Sequence, residues 1–476
     1  MSLGHSKVVE GDCGTQSRFE VAEHVIERAD GIVVLATGRM EEEGGAAATR
    51  STSWQRGRRF ALSDFLQNGV VTVLHRLGRP NVDQLEAELT RHAQINPIAL
   101  VLPALYSELE GPALGGIVQQ LGRIGYLNEI VVALGRASAL EFRRAKDYFK
   151  CLPQHVRLVW VDGPRMQETL RDLTSLGIDV GLPGKGQSCW LAFGYVLARG
   201  RSNVIALHDA DIVSYQREYL ARLCYPVANP NLGYEFSKGY YSRVTDRLHG
   251  RVTRLFMTPL IRSLGELVGP QPLLTFLDSF RYPLAGEFAM VCELAWINRI
   301  PGDWGLEIGV LAEVFRNCAP RRICQVDLAD AYEHKHQALS ADNPEAGLLK
   351  MTVDIAKSLF RNLASQGVVL SEAVLKTLRA TYLQSAQEAI RRYEDDAAIN
   401  SLHFDRHQER KAVEAFLTGI KLATDTFLVD PLGVPMISNW SRVAHASPDI
   451  FRRLVIAVEE DQAWEPASGL GREAKS

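Results

Sequence analysis

The chain of 476 residues is 46% hydrophobic and 23% charged, a globular composition that excludes a disordered or fibrous protein. Its 53 Lys+Arg and 56 Asp+Glu are interspersed and sum to a net charge of −3, so neither a nucleic-acid polymer nor an anionic membrane is an expected partner. No apolar stretch approaches the roughly 18–20 residues that span a bilayer, and Met1–Gly11 lacks the basic-then-apolar pattern of a signal peptide. A cytoplasmic location is therefore expected.

The length suits roughly two or three domains, or one large α/β domain with additions. The seven cysteines (Cys13, Cys151, Cys189, Cys224, Cys292, Cys318, Cys324) are scattered and odd in number, without a C-x-x-C pair. That argues against a disulfide framework or a structural zinc site.

Residues 1–60 read as a flexible N-terminal extension, with Glu41–Thr52 as a solvated linker and Gly31–Thr37 as a short apolar segment able to pair. Ordered fold is expected from about residue 61. Phe65, Val70, Val71, Val73, Leu74 and Leu77 suggest a helix or strand, and Asn81–His92 reads as an amphipathic helix opened by Pro80 and Asn81. Strand-like and helix-like runs then alternate. Ile98–Leu105 precedes a helix over Ala113–Ile124, Glu129–Leu134 precedes Ser138–Lys150, and Val156–Asp162 precedes Met166–Leu176. A helix over Gln187–Arg199 leads into a fourth strand, Asn203–His208. This alternation predicts parallel strands with crossover helices, whose ligands sit at the carboxyl ends of the strands. Beyond Asp211 the pattern becomes mixed α+β to about Gln337. Gly347–Ala364, Ser371–Glu394 and His407–Phe427 then show helical spacing, so residues 340–476 are expected to be a helical extension used for packing or self-association.

The chemical motifs follow that order. Ile205–Leu207 runs into His208-Asp209-Ala210-Asp211, which places two carboxylates where a divalent cation could bridge them to nucleotide phosphates. The structural alternative is a helix cap and turn before Tyr215–Arg222. Upstream, Gly184-Lys185-Gly186 opens a helix, so backbone amides, the helix dipole and an ammonium could meet an anion; a solvated loop lysine is the plainer reading. The Walker A spacing is absent. His249-Gly250-Arg251-Val252-Thr253 opens a predicted helix over Arg254–Leu264 and offers a guanidinium fork and a hydroxyl to phosphate or carboxylate, against the bland case of a surface arginine. In Tyr332-Glu333-His334-Lys335-His336, the two histidines share one face of an extended segment and could join Asp211 at a metal, although polar packing is the commoner use of such a pair. Pro283–Phe288, with Glu287, and Gly302–Gly309, with Trp304 and Glu307, set carboxylates among glycines and aromatics, which suits a sugar. A core Trp304 and a helix-start Glu307 are the alternative.

Taken in series, Pro-Ala-Leu after the first strand, Gly-Lys-Gly, Asp-Ala-Asp, Gly-Arg-Val-Thr, Pro-Leu-x-Gly-Glu, Gly-x-x-Glu-Ile-Gly and then histidine resemble one family over about Asp64 to Leu339. It is the family of retaining GT-A-type glycosyltransferases that make glucosyl-3-phosphoglycerate, with the related mannosyl-3-phosphoglycerate synthases. The resemblance implies an α/β fold: a Rossmann-like nucleotide-sugar-binding sheet, an acceptor region and a helical C-terminal extension. It implies a glycosyltransferase domain over 61–339, with a donor half at about 98–212 and an acceptor half at about 213–339. Pro103, Ala104 and Leu105 would line the nucleobase pocket, Lys185 would face the donor nucleotide, and Asp209 with Ala210 would support the ribose or metal site. Asp211 and His334 would hold Mg²⁺ or Mn²⁺. Trp304 stands where the family commonly has Tyr, and Glu307 would bond the transferred hexose. Gly250, Arg251, Thr253 and His336 would hold 3-phosphoglycerate, and the catalytic set would be Glu307, Arg251 and Asp211.

The implied reaction is metal-dependent retaining transfer of glucose from UDP- or GDP-glucose to the 2-hydroxyl of 3-phosphoglycerate by a homodimer. Same-face attack with the leaving phosphate accepting the proton would give retention. Where the family usually continues with Asn or Asp and two Glu after Pro-Ala-Leu, this chain has Tyr106, Ser107 and Glu108, which leaves the donor base open. A different sugar or acceptor, as in a mannosyl-3-phosphoglycerate synthase, and a non-catalytic nucleotide-sugar-binding scaffold are the competing readings. No chemical motif is found beyond Leu339.

Overall fold

The computed structural model describes residues 24–27, 33–36, 67, 69–78, 81–330, 332–333, 347–434 and 436–464. Two compact units are present, Met1–Asp64 and Phe65–Ser476. In the first, β1 (His24–Glu27) pairs antiparallel with β2 (Val33–Ala36), which is the apolar segment expected to pair. Glu41–Thr52 lies outside the described residues.

The second unit is built on eight strands: β3 (Thr72–Leu74), β4 (Ile98–Leu105), β5 (Leu127–Gly135), β6 (His155–Trp160), β7 (Val204–Leu207), β8 (Phe236–Tyr241), β9 (Phe288–Val291) and β10 (Ile323–Ala329). Their order across the sheet is β3-β10-β8-β9-β7-β4-β5-β6. Strand β9 runs antiparallel to both neighbours, and the other pairings are parallel. The parallel strands with crossover helices are those expected from the alternation, and the sheet is the α/β one that the resemblance implies. Helices cover both faces, so β4 reads as a continuous apolar run: Leu100 and Leu102 enter one hydrophobic cluster and Val101 the other.

Local chemistry explains the helix starts. Asn81 accepts from the Gln84 amide at 3.1 Å to open Val82–His92, and Ser138 and Glu141 form a reciprocal capping box ahead of Ala139–Phe149. The helix expected from Gln187 starts two residues earlier, at Lys185, and ends at Gly200, whose φ of 58° is the left-handed stop that glycine adopts without strain. Among its described residues, the Phe65–Leu77 segment contributes only the short edge strand β3. The helix expected over Arg254–Leu264 begins as a π-helical turn, Val252–Met257, before the α-helix Thr258–Val268. Such wide turns occur often at functional sites.

The C-terminal helices Gly347–Ser365, Glu372–Ile399, Arg406–Val429 and Ile450–Ala463 share one hydrophobic cluster with a face of the sheet. Trp440 stacks on Trp190 with ring centroids 4.2 Å apart. Each indole N–H donates to a backbone carbonyl across the contact: Trp190 to Ser438 O at 2.9 Å and Trp440 to Trp190 O at 3.0 Å. Gly194 makes room, since a Cβ there would lie 2.0 Å from the Trp440 ring. Trp440→Ala is expected to cost about 3–5 kcal/mol of stability, measured as a lowered urea midpoint, because it opens a large cavity against Trp190.

Candidate active site

Lys185, Asp209 and Glu307 converge at the carboxyl end of β7. The Lys185 ammonium lies 2.7 Å from Asp209 Oδ1 and 3.2 Å from Glu307 Oε1. Three separate elements deliver them: the first residue of helix Lys185–Arg199, the loop after β7, and the first turn of helix Leu306–Asn317. Burial opposes the lysine charge, but Asp209 and then Glu307 outweigh it and hold the ammonium well above the ordinary lysine range. Lys185 is thus not a solvated loop lysine. The glycines beside it allow close approach to the neighbouring chain, since a Cβ on Gly186 would meet the Pro301 carbonyl at 2.0 Å.

The rim follows from the strand ends. Pro103, Ala104 and Leu105 close β4 opposite Ala133, Leu134 and Gly135 of β5. Ala210 is buried under the Asp209–Asp211 loop, and His208 is fully buried edge-on to Tyr215. Burial pulls the His208 imidazole down to about 3, so it is neutral and no proton donor. Trp304, expected either in the core or against a sugar, is 40% exposed beside the helix that carries Glu307, which removes the core alternative.

A buried polar group extends the cluster inward. Glu287 is fully buried and accepts from the Tyr241 hydroxyl at 2.9 Å; Tyr241 stacks on Tyr332 at 3.7 Å between ring centroids. Burial, then the Asp209 charge, pushes the Glu287 carboxyl up to about 7, against the Tyr241 hydrogen bond. Lys238, in the middle of β8, donates to the Ala285 carbonyl; burial pulls its ammonium down to about 8, against the charges of Glu307 and Glu287. Between these groups, Gly286 lets Asp209 pass: a Cβ there would lie 2.2 Å from Asp209 Oδ2.

The second predicted group is held from the other direction. Gly250 has φ 71° and turns the chain so that Arg251 starts the π-helical turn. Arg251 Nε donates to Glu409 Oε1 at 2.6 Å, so it is not a bare surface arginine. The Thr253 hydroxyl is buried with no hydrogen-bond partner among the described residues. Arg243 connects the two groups: its carbonyl accepts from the His249 amide at 2.9 Å, its guanidinium donates to the Tyr282 hydroxyl at 3.3 Å, and it lies within the field of Asp211. His334 and His336 lie outside the described residues.

A glucosyl-3-phosphoglycerate synthase of Persephonella marina is 50% identical over 402 residues, 84% of this chain and 100% of that protein. The chain belongs to the glucosyl-3-phosphoglycerate synthase family. A second synthase of the family, from Methanococcoides burtonii, is 40% identical over 370 residues, 77% of this chain and 90% of its own. A solved structure of the Mycobacterium tuberculosis glucosyl-3-phosphoglycerate synthase in complex with phosphoglyceric acid aligns with 63% of this chain and 90% of its own at a TM-score of 0.45 and 21% identity. No family model matches.

In this glucosyl-3-phosphoglycerate synthase family member, several residues of the candidate site escape a reading by motif. Lys238 has a signal, the one charge inside a strand that is otherwise uncharged, but Arg243, Tyr241 and Glu409 have none that spacing reveals. The fit of a divalent cation rests on donor chemistry. Asp209 and Asp211 present hard carboxylate oxygens at the end of β7, the donors that Mg²⁺ and Mn²⁺ take. No group of three or more His, Cys, Asp or Glu poised for a metal occurs among the described residues. The arrangement suits an ion that takes one or two carboxylates and completes its shell with substrate phosphates and water. No helix among the described residues is long and apolar enough to cross a membrane.

Proposed function

We propose that this chain transfers glucose from UDP- or GDP-glucose to the 2-hydroxyl of 3-phosphoglycerate with retention of configuration; its relatives carry the name glucosyl-3-phosphoglycerate synthase. The observation that carries the reading is the Lys185–Asp209–Glu307 cluster at the carboxyl end of β7, where a nucleotide-sugar belongs in such a sheet. Pro103, Ala104 and Leu105 receive the base, and the helix N-terminus at Lys185 faces the donor's negative charge. Glu307 accepts hexose hydroxyls while Lys185 fixes its carboxylate. Asp211, with His334 by resemblance, would hold Mg²⁺ or Mn²⁺, and Asp209 would support the ribose or metal site; the ion when bound supplies Lewis-acid stabilisation of the leaving diphosphate. Trp304 offers an exposed ring face to the sugar. Arg251 and Thr253, with the Gly250 backbone and His336, hold the acceptor's anionic groups and aim its hydroxyl at the anomeric carbon. The proton of that hydroxyl passes to the departing phosphate oxygen on the same face.

The test is release of nucleoside diphosphate from a panel of UDP-glucose, GDP-glucose and GDP-mannose with 3-phosphoglycerate and Mg²⁺. A glucose donor should react, only with the acceptor present, and EDTA should stop it; reaction with GDP-mannose alone would overturn the glucosyl assignment. In the same assay Gly286→Ala is expected to lower kcat about a hundredfold without unfolding the protein, because its methyl displaces Asp209. A kcat within about threefold of wild type would show that Asp209 tolerates the shift.

A further inference from the structure

We infer that Glu409, supplied by the C-terminal helix Arg406–Val429, is a positioning residue for acceptor binding through Arg251; this rests on the acceptor role proposed for Arg251. The Glu409 side chain is 5% exposed and divides its two oxygens between two guanidinium groups. Oε1 accepts from Arg251 Nε at 2.6 Å, and Oε2 accepts from Arg254 Nη2 at 3.0 Å. Two like charges within one turn repel each other, and a single shared carboxylate holds them together.

The geometry is directional. Arg251 is held by its inner nitrogen, Nε, which leaves its outer Nη pair to fork onto a phosphate or carboxylate. Arg254 braces the turn instead. Its Nε donates to the His249 carbonyl at 2.8 Å and its Nη2 to the Leu248 carbonyl at 3.3 Å, and its guanidinium lies 4.7 Å from the centroid of Tyr393, on helix Glu372–Ile399. The chain just before Glu409 is also tied to this loop, because the His403 amide donates to the Asp246 carbonyl at 2.8 Å. The Asp405 side chain caps the helix by accepting from the Gln408 amide at 3.0 Å. The C-terminal helices thereby set the plane and reach of Arg251.

The test is steady-state kinetics of the full chain with Glu409→Gln, whose amide has one acceptor oxygen and cannot serve both arginines. Glu313→Gln is the control. Glu313 is a buried carboxylate that likewise joins two arginines, Arg299 at 3.1 Å and Arg316 at 2.6 Å, without touching the acceptor loop. E409Q is expected to raise KM for 3-phosphoglycerate about tenfold and to leave KM for the nucleotide-sugar within about twofold. Glu409→Asp, one methylene shorter with its charge intact, should give the same split more weakly. E313Q should give none. The inference is overturned if both KM values move together, if E313Q reproduces the split, or if folded E409Q and E409D match wild type. Absence of transfer to 3-phosphoglycerate by wild type would instead sink the functional reading, and the inference with it.

Discussion

Lys185→Met is expected to reduce kcat/KM about a thousandfold and to lower unfolding free energy by about 3 kcal/mol. Both effects have one cause. The substitution leaves the Asp209 and Glu307 carboxylates, 20% and 8% exposed, facing each other without their shared cation. One of them then takes up a proton or turns away, and either change would spoil the cradle proposed for the hexose and the diphosphate. The lower end of the range for broken buried pairs applies because the Lys185 side chain is 31% exposed and water softens the loss. Lys185→Arg is not a rescue, since a planar fork cannot reproduce the position of one ammonium between two carboxylates. Urea titration and initial rates check the two effects separately; a variant that lost stability and kept kcat/KM would reduce Lys185 to a structural ion pair.

Asp211→Asn separates chemistry from folding. Asp211 is half-buried in the loop after β7 rather than in the core, so stability should change by less than about 1 kcal/mol. Transfer should fall at least about a thousandfold, because several kcal/mol of charge stabilisation on the leaving group depends on the ion it would hold. Added Mn²⁺ or Mg²⁺ should restore part of the rate only at concentrations far above those wild type needs. Unchanged transfer by this variant would remove Asp211 from the metal site.

The parts of the fold legible in the sequence were those governed by short-range pattern. Strands β4, β5 and β7 are largely buried on both faces, and the apolar runs of β4 to β7, separated by helical segments, stand out against the polar turns. The antiparallel insertion of β9 between β7 and β8 was not legible, because it depends on long-range pairing and leaves no local mark. The site behaved alike. Lys185, Asp209 and Glu307 each sit in a recognisable motif, yet their mutual contact spans 122 residues between Lys185 and Glu307 and needed the fold to be seen. Glu409 was invisible for the same reason, 158 residues from Arg251 on an ordinary helical segment. The near-zero net charge hid the site altogether, since Lys185, Arg243, Arg251 and Arg254 are locally offset by Asp209, Glu307, Asp211 and Glu409.

The 402 residues shared with the Persephonella marina synthase exceed the sheet region, so the likeness runs into the C-terminal helices. A carboxylate that reaches the acceptor arginine from those helices makes them part of the binding apparatus under the proposed reading. The most direct measurement is ¹H and ³¹P NMR of the products formed by wild type from UDP-glucose or GDP-glucose, 3-phosphoglycerate and Mg²⁺. The expected product carries an α-linked glucosyl group on the 2-position with the phosphate monoester intact; a β-linkage, or free glucose and nucleotide with 3-phosphoglycerate unchanged, would contradict retaining transfer to that hydroxyl.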